Sequence, residues 1–175
     1  TQISDIGMKH VRGMTNLWLL DLRGTSIGDP ELKHLRDLVN LEELFLDHTL
    51  VGNDGLQHLQ LLVGLTKLSL GNTRISDSGL KSLQKMPKLR QLYLTNTHVT
   101  DAGMSHLRLM TSLHHLKLDH TQITDVGLER LQGLLTHLGI LDLNYTNISD
   151  VGLEHLHKCV GLDQLAVSHS NVTEI

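Results

Sequence analysis

The stretches TRISDSGL at residues 73–80, THVTDAGM at 97–104, TQITDVGL at 121–128 and TNISDVGL at 146–153 are four copies of one pattern. Each copy opens with a marker Thr, and the chain carries further markers upstream and downstream at Thr1, Thr25, Thr49 and Ser170. Successive markers are 24 residues apart, except for one step of 25 between Thr121 and Thr146. A fixed period in this range is the sequence signature of a solenoid, in which each repeat buries its apolar side chains against the next repeat.

The residues before each marker Thr predict a short strand. Leu89, Leu92 and Leu94 take the first, fourth and sixth places of their repeat, and the last two alternate with polar residues. That alternation is the period-2 pattern of a strand with one buried face. The same pattern predicts strands at 17–22, 41–46, 65–70, 113–118, 138–143 and 162–167.

The residues after each marker Thr predict a short helix. Leu80, Leu83 and Met86 recur every three places, which indicates a helix of about two turns. Ser76 and Asp77 precede it and are suitable N-caps, because a short side-chain oxygen can accept from unpaired helix N–H groups. The alternation predicts an α/β horseshoe solenoid with parallel strands on its concave face and short helices on its convex face. The extra residue near 135 is expected to be a small loop adjustment.

The composition of the chain limits which classes of protein it can belong to. The 175 residues are expected to form a single domain, 1–175, of about seven repeats. Solenoids normally cap their end layers, whereas this sequence begins and stops inside a repeat without an obvious cap, so the repeats are expected to be part of a longer array. Aromatic residues make up only 2% of the chain, so Leu must fill the core. The net charge of −4 argues against nucleic acid as the partner, and no apolar run is long enough for a membrane span. The single Cys159 excludes an internal disulfide and gives no sign of an oxidising compartment, so a cytoplasmic location is slightly favoured.

The LxxLxLxxT block followed by IxDxGLxxLxxL resembles the leucine-rich repeat superfamily over nearly the whole chain. Within it, the chain is most similar to the subclass whose repeats end in an I-T-D-x-G-L turn, found in the cysteine-containing repeats of F-box receptors and in related bacterial proteins. That subclass usually has Cys or Asn where this chain has the marker Thr. The resemblance implies the horseshoe fold, with the strands lining the concave side.

Three polar or small columns are predicted to be structural. An acidic column is expected to cap the helices, at Asp5, Asp29, Asp77, Asp101, Asp125 and Asp150, with Asn53 and Glu174 in the remaining repeats. The marker Thr hydroxyls are expected to bond the backbone, because buried hydroxyls must be paired. A glycine column is expected to serve turns or close packing, at Gly7, Gly55, Gly79, Gly103, Gly127 and Gly152.

The histidines suggest metal ligands, but their spacing favours other roles. One column is expected to lie on a solvated helix face, because ligands placed once per repeat cannot converge on one ion: His10, His34, His58, His106 and His155. A weak metal site near His115 and Asp119 remains an alternative. Cys159 shares its column with apolar residues and is expected in the core. No catalytic constellation or cofactor motif recurs, so we predict neither an enzyme nor a cofactor.

The strand residues between the leucines are the candidate binding residues. Every aromatic residue of the chain falls in or beside this set, and exposed aromatics beside charges are the usual anchors of protein interfaces. Charge alternates along the set, which suits a protein partner of complementary charge. The predicted partner-binding residues are Trp18, Asp21, Glu42, Glu43, Phe45, Lys67, Arg90, Tyr93, His115, Lys117, Asp119, Asp142 and Tyr145.

The sequence therefore predicts a non-enzymatic module that recognises a partner protein through its concave face. A structural or assembly subunit that uses its helical face or its ends is the first alternative. The second is a substrate-receptor module within a larger ligase or receptor. A carbohydrate ligand is less favoured, because four aromatic residues spread over seven strands provide little stacking surface.

Overall fold

The computed structural model describes residues 5–157 and 159–173. Its strands form one open, fully parallel sheet in the order in which they occur along the chain. The seven strands are β1 (Leu19–Asp21), β2 (Glu43–Phe45), β3 (Lys67–Ser69), β4 (Gln91–Tyr93), β5 (His115–Lys117), β6 (Ile140–Asp142) and β7 (Gln164–Ala166).

A short helical segment connects each strand to the next, as the apolar spacing predicts, and two such segments lie between β5 and β6. Because every crossover has this form, the strands lie on one side of the solenoid and the helices on the other. The segments are α1 (Asp5–Val11), a 3-10 helix (Asp29–Leu35), α2 (Asn53–Leu59), α3 (Asp77–Leu83), α4 (Asp101–Leu107), α5 (Asp125–Arg130), α6 (Gln132–Leu135) and α7 (Asp150–Glu154). The predicted horseshoe class of fold is confirmed.

The strands are shorter than the predicted six-residue segments at 17–22 and its equivalents. Three residues of each repeat form the regular ladder. The chain then turns through a left-handed residue directly before the marker Thr, such as Gly24 at φ 67° and His48 at φ 56°. Backbone bonds to the next repeat continue around this turn, since the N–H of Gly24 donates to Asp47 O at 2.9 Å. The turn therefore ends the strand without breaking contact between repeats.

The extra residue of the long repeat lies in a helix, contrary to the predicted loop adjustment. After α5, the segment α6 adds another helical turn. Leucines explain the difference, because Leu134 and Leu135 of α6 and Leu131 directly before it are buried in the core. A loop would have left this apolar surface in water. The insertion does not disturb the pairing of the strands, because His115 of β5 is still paired with the first residue of β6, Ile140.

Leucine fills the core, as the composition predicts. The middle residue of each strand stands in register with its neighbours, and Leu44, Leu68, Leu92 and Leu116 are completely buried. Burying such a side chain contributes about 1.5–3 kcal/mol. Cys159 packs partly buried against this core, as its column predicts, and burial raises the pKa of its thiol.

The marker Thr hydroxyls bond the backbone, as predicted. The hydroxyl of Thr97 donates to the carbonyl of Leu94 at 2.7 Å, and that of Thr49 donates to Leu46 O at 2.6 Å. Both Thr side chains are buried. The acceptor lies three residues earlier in the same repeat. Each marker Thr therefore closes its own strand-to-helix turn. Thr1 lies outside the described residues.

The prediction that the acidic column caps its own helices is wrong. The N-cap positions belong to the preceding residue, and the hydroxyl of Thr100 accepts from the Ala102 N–H at 3.3 Å. The carboxylate instead accepts from the following repeat, where Asp101 receives the N–H and the hydroxyl of Thr124 at 2.8 and 2.6 Å. The same link to the next repeat is made by Asp29, Asn53, Asp77, Asp125 and Asp150. The side chain of Asp5 and all of Glu174 lie outside the described residues.

The glycine column packs against these acidic side chains. A Cβ on Gly103 would lie 2.5 Å from Asp77 Oδ1 and 2.9 Å from Leu80 Cδ1 of the preceding repeat. A Cβ on Gly127 would meet Asp101 Oδ1 at 2.5 Å in the same way. The Asp of one repeat and the Gly of the next therefore form one contact, which confirms close packing as the reason for the glycine.

Candidate functional site

The first and third residues of every strand flank its central leucine and form a surface that we name the strand face. Eight of the predicted binding residues belong to it: Asp21, Glu43, Phe45, Lys67, Tyr93, His115, Lys117 and Asp142. Three others directly precede a strand, and these are Trp18, Glu42 and Arg90. The remaining two, Asp119 and Tyr145, follow a strand.

Aromatic rings and cations alternate across the strand face. The Arg23 guanidinium lies 5.1 Å from the centre of the Phe45 ring, and Lys67 Nζ lies 5.0 Å from the same centre. Lys67 Nζ is also 5.5 Å from the Tyr93 ring centre, and Lys117 Nζ is 5.4 Å from it. Each separation allows a cation–π attraction of about 0.5–1 kcal/mol at an exposed site. We name this run of five residues the cation–π row.

Arg23 is a member of the cation–π row that the predicted binding set omits. Its guanidinium Nη2 lies 2.6 Å from Asp21 Oδ2. The side-chain hydrogen bond from Arg23 lowers the pKa of Asp21. The two residues are two places apart on one side of an extended segment, and that spacing is the sequence signal for the pair. The positive charge of Arg23, at one end of the row, is thus neutralised by Asp21 of the same repeat.

His115 and Tyr93 form a partly buried contact at the middle of the strand face. Their rings meet edge to face with centroids 4.8 Å apart, and the Tyr93 hydroxyl lies 3.3 Å from His115 Nδ1. That hydroxyl donates to Gln91 Oε1 at 2.8 Å. Burial lowers the pKa of His115, and the charges of Lys117 and Lys67 lower it further. Burial raises the pKa of Tyr93. Both rings are therefore uncharged near neutral pH.

The carboxylate of Asp119 joins neighbouring repeats. The hydroxyl of Thr95 donates to Asp119 Oδ1 at 2.8 Å. Asp47 occupies the equivalent place and accepts from Ser69 Oγ at 2.6 Å and from the Gly71 N–H at 3.0 Å. Part of the negative charge in the predicted binding set is therefore engaged in holding strands together.

Tyr145 belongs to a second stack, at the rim beside the strand face. Its ring stacks between those of His120 and His169, with centroids 4.1 and 4.3 Å apart. All three residues have φ of 55° and directly precede a marker Thr or Ser. The sequence analysis includes Tyr145 among the binding residues but does not predict this stack. The Gly, Asn and His residues that share this column were the available signal, because these types are enriched in the left-handed region.

An open cavity of about 490 Å³ adjoins the strand face beside β4 to β6. Arg90 and His114 are exposed on its wall, and His115 is shared between the cavity and the strand face. Within the described residues, the Nε2 atom of His115 is the one buried side-chain nitrogen or oxygen without a hydrogen-bond partner. Gln91, Thr111, Ser112, His137 and Ile140 complete the wall. Positive and polar groups thus extend from the cation–π row into a concave space.

The helix histidines do not form the uniformly solvated face that the sequence predicts. His34 is buried, and His58, His106 and His155 are half-buried, because neighbouring repeats pack closely along this column. His58 Nδ1 lies 2.5 Å from Arg36 Nη2, and burial together with Arg36 lowers the pKa of His58. In the described part of the chain, no three His, Cys, Asp or Glu side chains are grouped as metal ligands. None of the described helices is long and apolar enough to cross a membrane.

Two family models match the sequence. One, described as leucine-rich repeats in two copies, matches residues 63–108. The other, described as a leucine-rich repeat, matches residues 110–131 and 135–156. The chain is built from leucine-rich repeats. Both models describe such repeats in general terms, so they support the superfamily and not the particular subclass that the I-T-D-x-G-L turn suggests.

A solved structure supports the same fold. The chain is similar to an internalin C2 from Listeria monocytogenes str. 4b F2365, with a TM-score of 0.64 over 99% of this chain and 78% of that one. Sequence identity between them is 19%, so the likeness establishes the leucine-rich-repeat solenoid alone. No curated protein matches the sequence.

Proposed function

We propose that this chain is a non-enzymatic recognition module that binds a partner protein through its strand face. Leucine-rich repeats generally mediate protein–protein interaction. The observation that carries the proposal is the cation–π row, which spans the strands from β1 to β5 on the solvent side of the sheet. Arg, Tyr and Trp are enriched among the residues that dominate binding energy at interfaces.

The dimensions of the strand face suit a protein partner. Seven strands at a spacing of about 4.8 Å span roughly 29 Å, which accommodates a helix or a small domain. Trp18 is 59% exposed at one end and Tyr145 is 48% exposed at the rim, so both offer apolar surface that a partner can cover. Burying an exposed aromatic side chain at a protein contact removes its apolar surface from water, which favours association.

Affinity capture from the native source tests the proposal. The parent chain is compared with a strand-face variant, Phe45→Ala, Tyr93→Ala, Lys117→Glu. The matched control is Val126→Ala, Val151→Ala, Lys81→Glu, which carries the same kinds of change on exposed helical residues. Melting temperatures of all three proteins establish that they are folded. We expect the parent and the control to retain the same partner and the strand-face variant to lose it.

Equal capture by all three proteins would contradict the proposal. Loss of capture by the control alone would favour the assembly role, in which the helical face or the ends make the contact. A substrate-receptor module within a larger ligase or receptor would use the same strand face. We further propose that the repeats belong to the I-T-D-x-G-L subclass. The contact between Asp77 and Gly103 supports this, because it explains why the motif combines an Asp with a Gly.

A further inference from the structure

The middle of the strand face carries two ammonium groups that have no ion pair among the described residues. Lys67 and Lys117 both direct Nζ toward the Tyr93 ring, at 5.5 and 5.4 Å. Glu43 and Asp142 stand beside them in the strand register, yet neither lies within salt-bridge distance. Arg23 differs, because Asp21 neutralises it at 2.6 Å. The positive charge of Lys67 and Lys117 is therefore available to a partner.

Further positive and polar groups continue this charge into the cavity of about 490 Å³. Arg90 is exposed on the cavity wall, together with His114 and the hydroxyl of Ser112. Ser112 Oγ already donates to Pro87 O at 2.8 Å. The guanidinium of Arg90 is the one permanently charged group among the residues that line the cavity. A guanidinium presents several N–H donors in the planar arrangement that matches a carboxylate. The cavity thus offers a carboxylate a place at the edge of the strand face that carries the two ammonium groups, since His115 belongs to both.

Carboxylates border this positive centre on both sides. Glu42 and Glu43 lie on the side of β2, and Asp142 and Asp163 lie toward β6 and β7. A polyanion running along the whole sheet would meet these carboxylates and be repelled. The positive centre extends across only β3 to β5, about 10 Å at the usual strand spacing, which corresponds to about three residues of extended chain.

We propose that the strand face binds a partner protein through a short acidic segment of that partner, seated over β3 to β5 between Lys67, Arg90 and Lys117. This inference rests on the proposed function and specifies the chemistry of the partner. Carboxylates of the segment pair with the two ammonium groups, and one of them reaches Arg90 at the cavity. Basic or neutral residues flank the segment and face Glu43 and Asp142. The Tyr93 ring forms the apolar floor beneath the pair of lysines.

A peptide selection tests this inference. A display library of random 12-residue peptides is selected against the full chain, and the recovered peptides are synthesised with a fluorescent label for anisotropy. We expect enrichment of Asp and Glu in a run of about three residues. We expect these peptides to bind a Lys67→Glu, Lys117→Glu variant at least tenfold more weakly. The charge-matched control Lys81→Glu, Lys85→Glu lies on the helical side and should change affinity less than twofold.

The other outcomes overturn the inference in distinguishable ways. Peptides without acidic enrichment that still lose affinity on Phe45→Ala and Tyr93→Ala would remove the acidic segment and leave the proposed function standing. Peptides that bind equally to every strand-face variant would count against both. Recovery of no binding peptide would overturn the acidic segment. A labelled 12-nucleotide single-stranded thymidine DNA that binds more tightly than the selected peptides would replace the acidic segment with nucleic acid.

Discussion

The hydroxyl of each marker Thr acts where the chain leaves the sheet. Thr97 is buried, and its hydroxyl, the one donor of its side chain, pairs with the carbonyl of Leu94 at 2.7 Å. The N–H of Leu94 donates to Lys117 O of the next strand. The backbone of this one leucine therefore takes part in a bond between strands through its N–H and in the turn through its carbonyl. A small side chain with a donor suits this place, which gives a physical reason for the recurrence of Thr there.

Removing one hydroxyl tests this role without changing the volume of the core. Thr97→Val leaves the Leu94 carbonyl buried without its donor, and we expect the free energy of unfolding to fall by about 1–3 kcal/mol. Urea denaturation followed by circular dichroism measures the change. Thr111→Val, at an exposed position, is the control and should change stability by less than about 0.5 kcal/mol. Equal stability of the two variants would contradict the assigned hydrogen bond.

His115 makes stability depend on pH. Burial, Lys117, Lys67 and His114 lower the pKa of its imidazole, while Asp142 opposes them. The folded pKa therefore lies below the unfolded value of about 6.5, and the unfolded chain binds the proton more readily. The contribution of the uncharged imidazole to the free energy of unfolding is fully present above pH 6.5 and is lost as the pH falls below that value. We expect the parent to lose more stability than His115→Gln between pH 7.5 and 5.5.

His98→Gln, at an exposed position, is the control for that comparison. It should follow the parent more closely than His115→Gln does. The informative quantity is the difference in free energy of unfolding between the parent and each variant at each pH. Identical pH dependence of the parent and His115→Gln would show that the imidazole is not held neutral by its burial and by the neighbouring lysines.

At the scale of the elements, consecutive helices are held at one spacing by the Asp and Gly columns. Asp101 bonds two groups of Thr124, while the same carboxylate leaves no room for a side chain on Gly127. Bonds to a charged acceptor contribute about 1.5–3 kcal/mol each. Because the link recurs at every interface from the second repeat onward, stability depends on neighbouring pairs of repeats more than on any one helix.

Gly103→Ala separates this contact from helix propensity. Alanine favours a helix interior by about 1 kcal/mol over glycine, so propensity alone predicts stabilisation. The new Cβ would lie 2.5 Å from Asp77 Oδ1, and we expect a net loss of about 1–3 kcal/mol in thermal or urea unfolding. Gly13→Ala is the control, because a Cβ there meets nothing within 4 Å. A Gly103→Ala chain more stable than the parent would contradict the contact.

The repeat period and the alternating leucines predicted the sheet and the helices, because both follow from burial within one repeat. The role of Asp101 could not be predicted in the same way. A carboxylate in the first helical turn suits a cap as well as a bridge to the next repeat, and only the distance between repeats decides. The pattern of a single repeat does not contain that distance. The helical turn of α6 is a different case, because the spacing of Leu131, Leu134 and Leu135 was an available signal for a buried helical surface near the extra residue.

The candidate site was predictable in part. Phe45, Lys67, Tyr93 and Lys117 share the strand face because side chains two places apart point the same way. The cation–π row also needs the lysines to lean toward the rings and not toward Glu43 and its equivalents, which is a choice of rotamer. That choice depends on the spacing between strands and on the neighbouring side chains, so the residue types alone did not reveal it.

For the molecule as a whole, charge and shape both favour one side of the solenoid, the strand face, as the surface for a partner. The chain carries a net charge of −4, yet the middle of its strand face is positive. The regular stacking of strands extends this local feature into a surface about 29 Å long. A partner that covers the surface would contact several repeats at once, whereas the helical side presents no comparable row of aromatic and cationic side chains among the described residues.

Site-specific photo-crosslinking most directly tests the claim that the strand face makes the contact. A photoreactive phenylalanine analogue replaces Glu43 on the strand face in one protein and Lys81 on the helical side in another. Both proteins are irradiated with the captured partner, and the adducts are identified by mass spectrometry. We expect a covalent adduct from position 43 and none from position 81. An adduct from position 81 alone would contradict binding through the strand face.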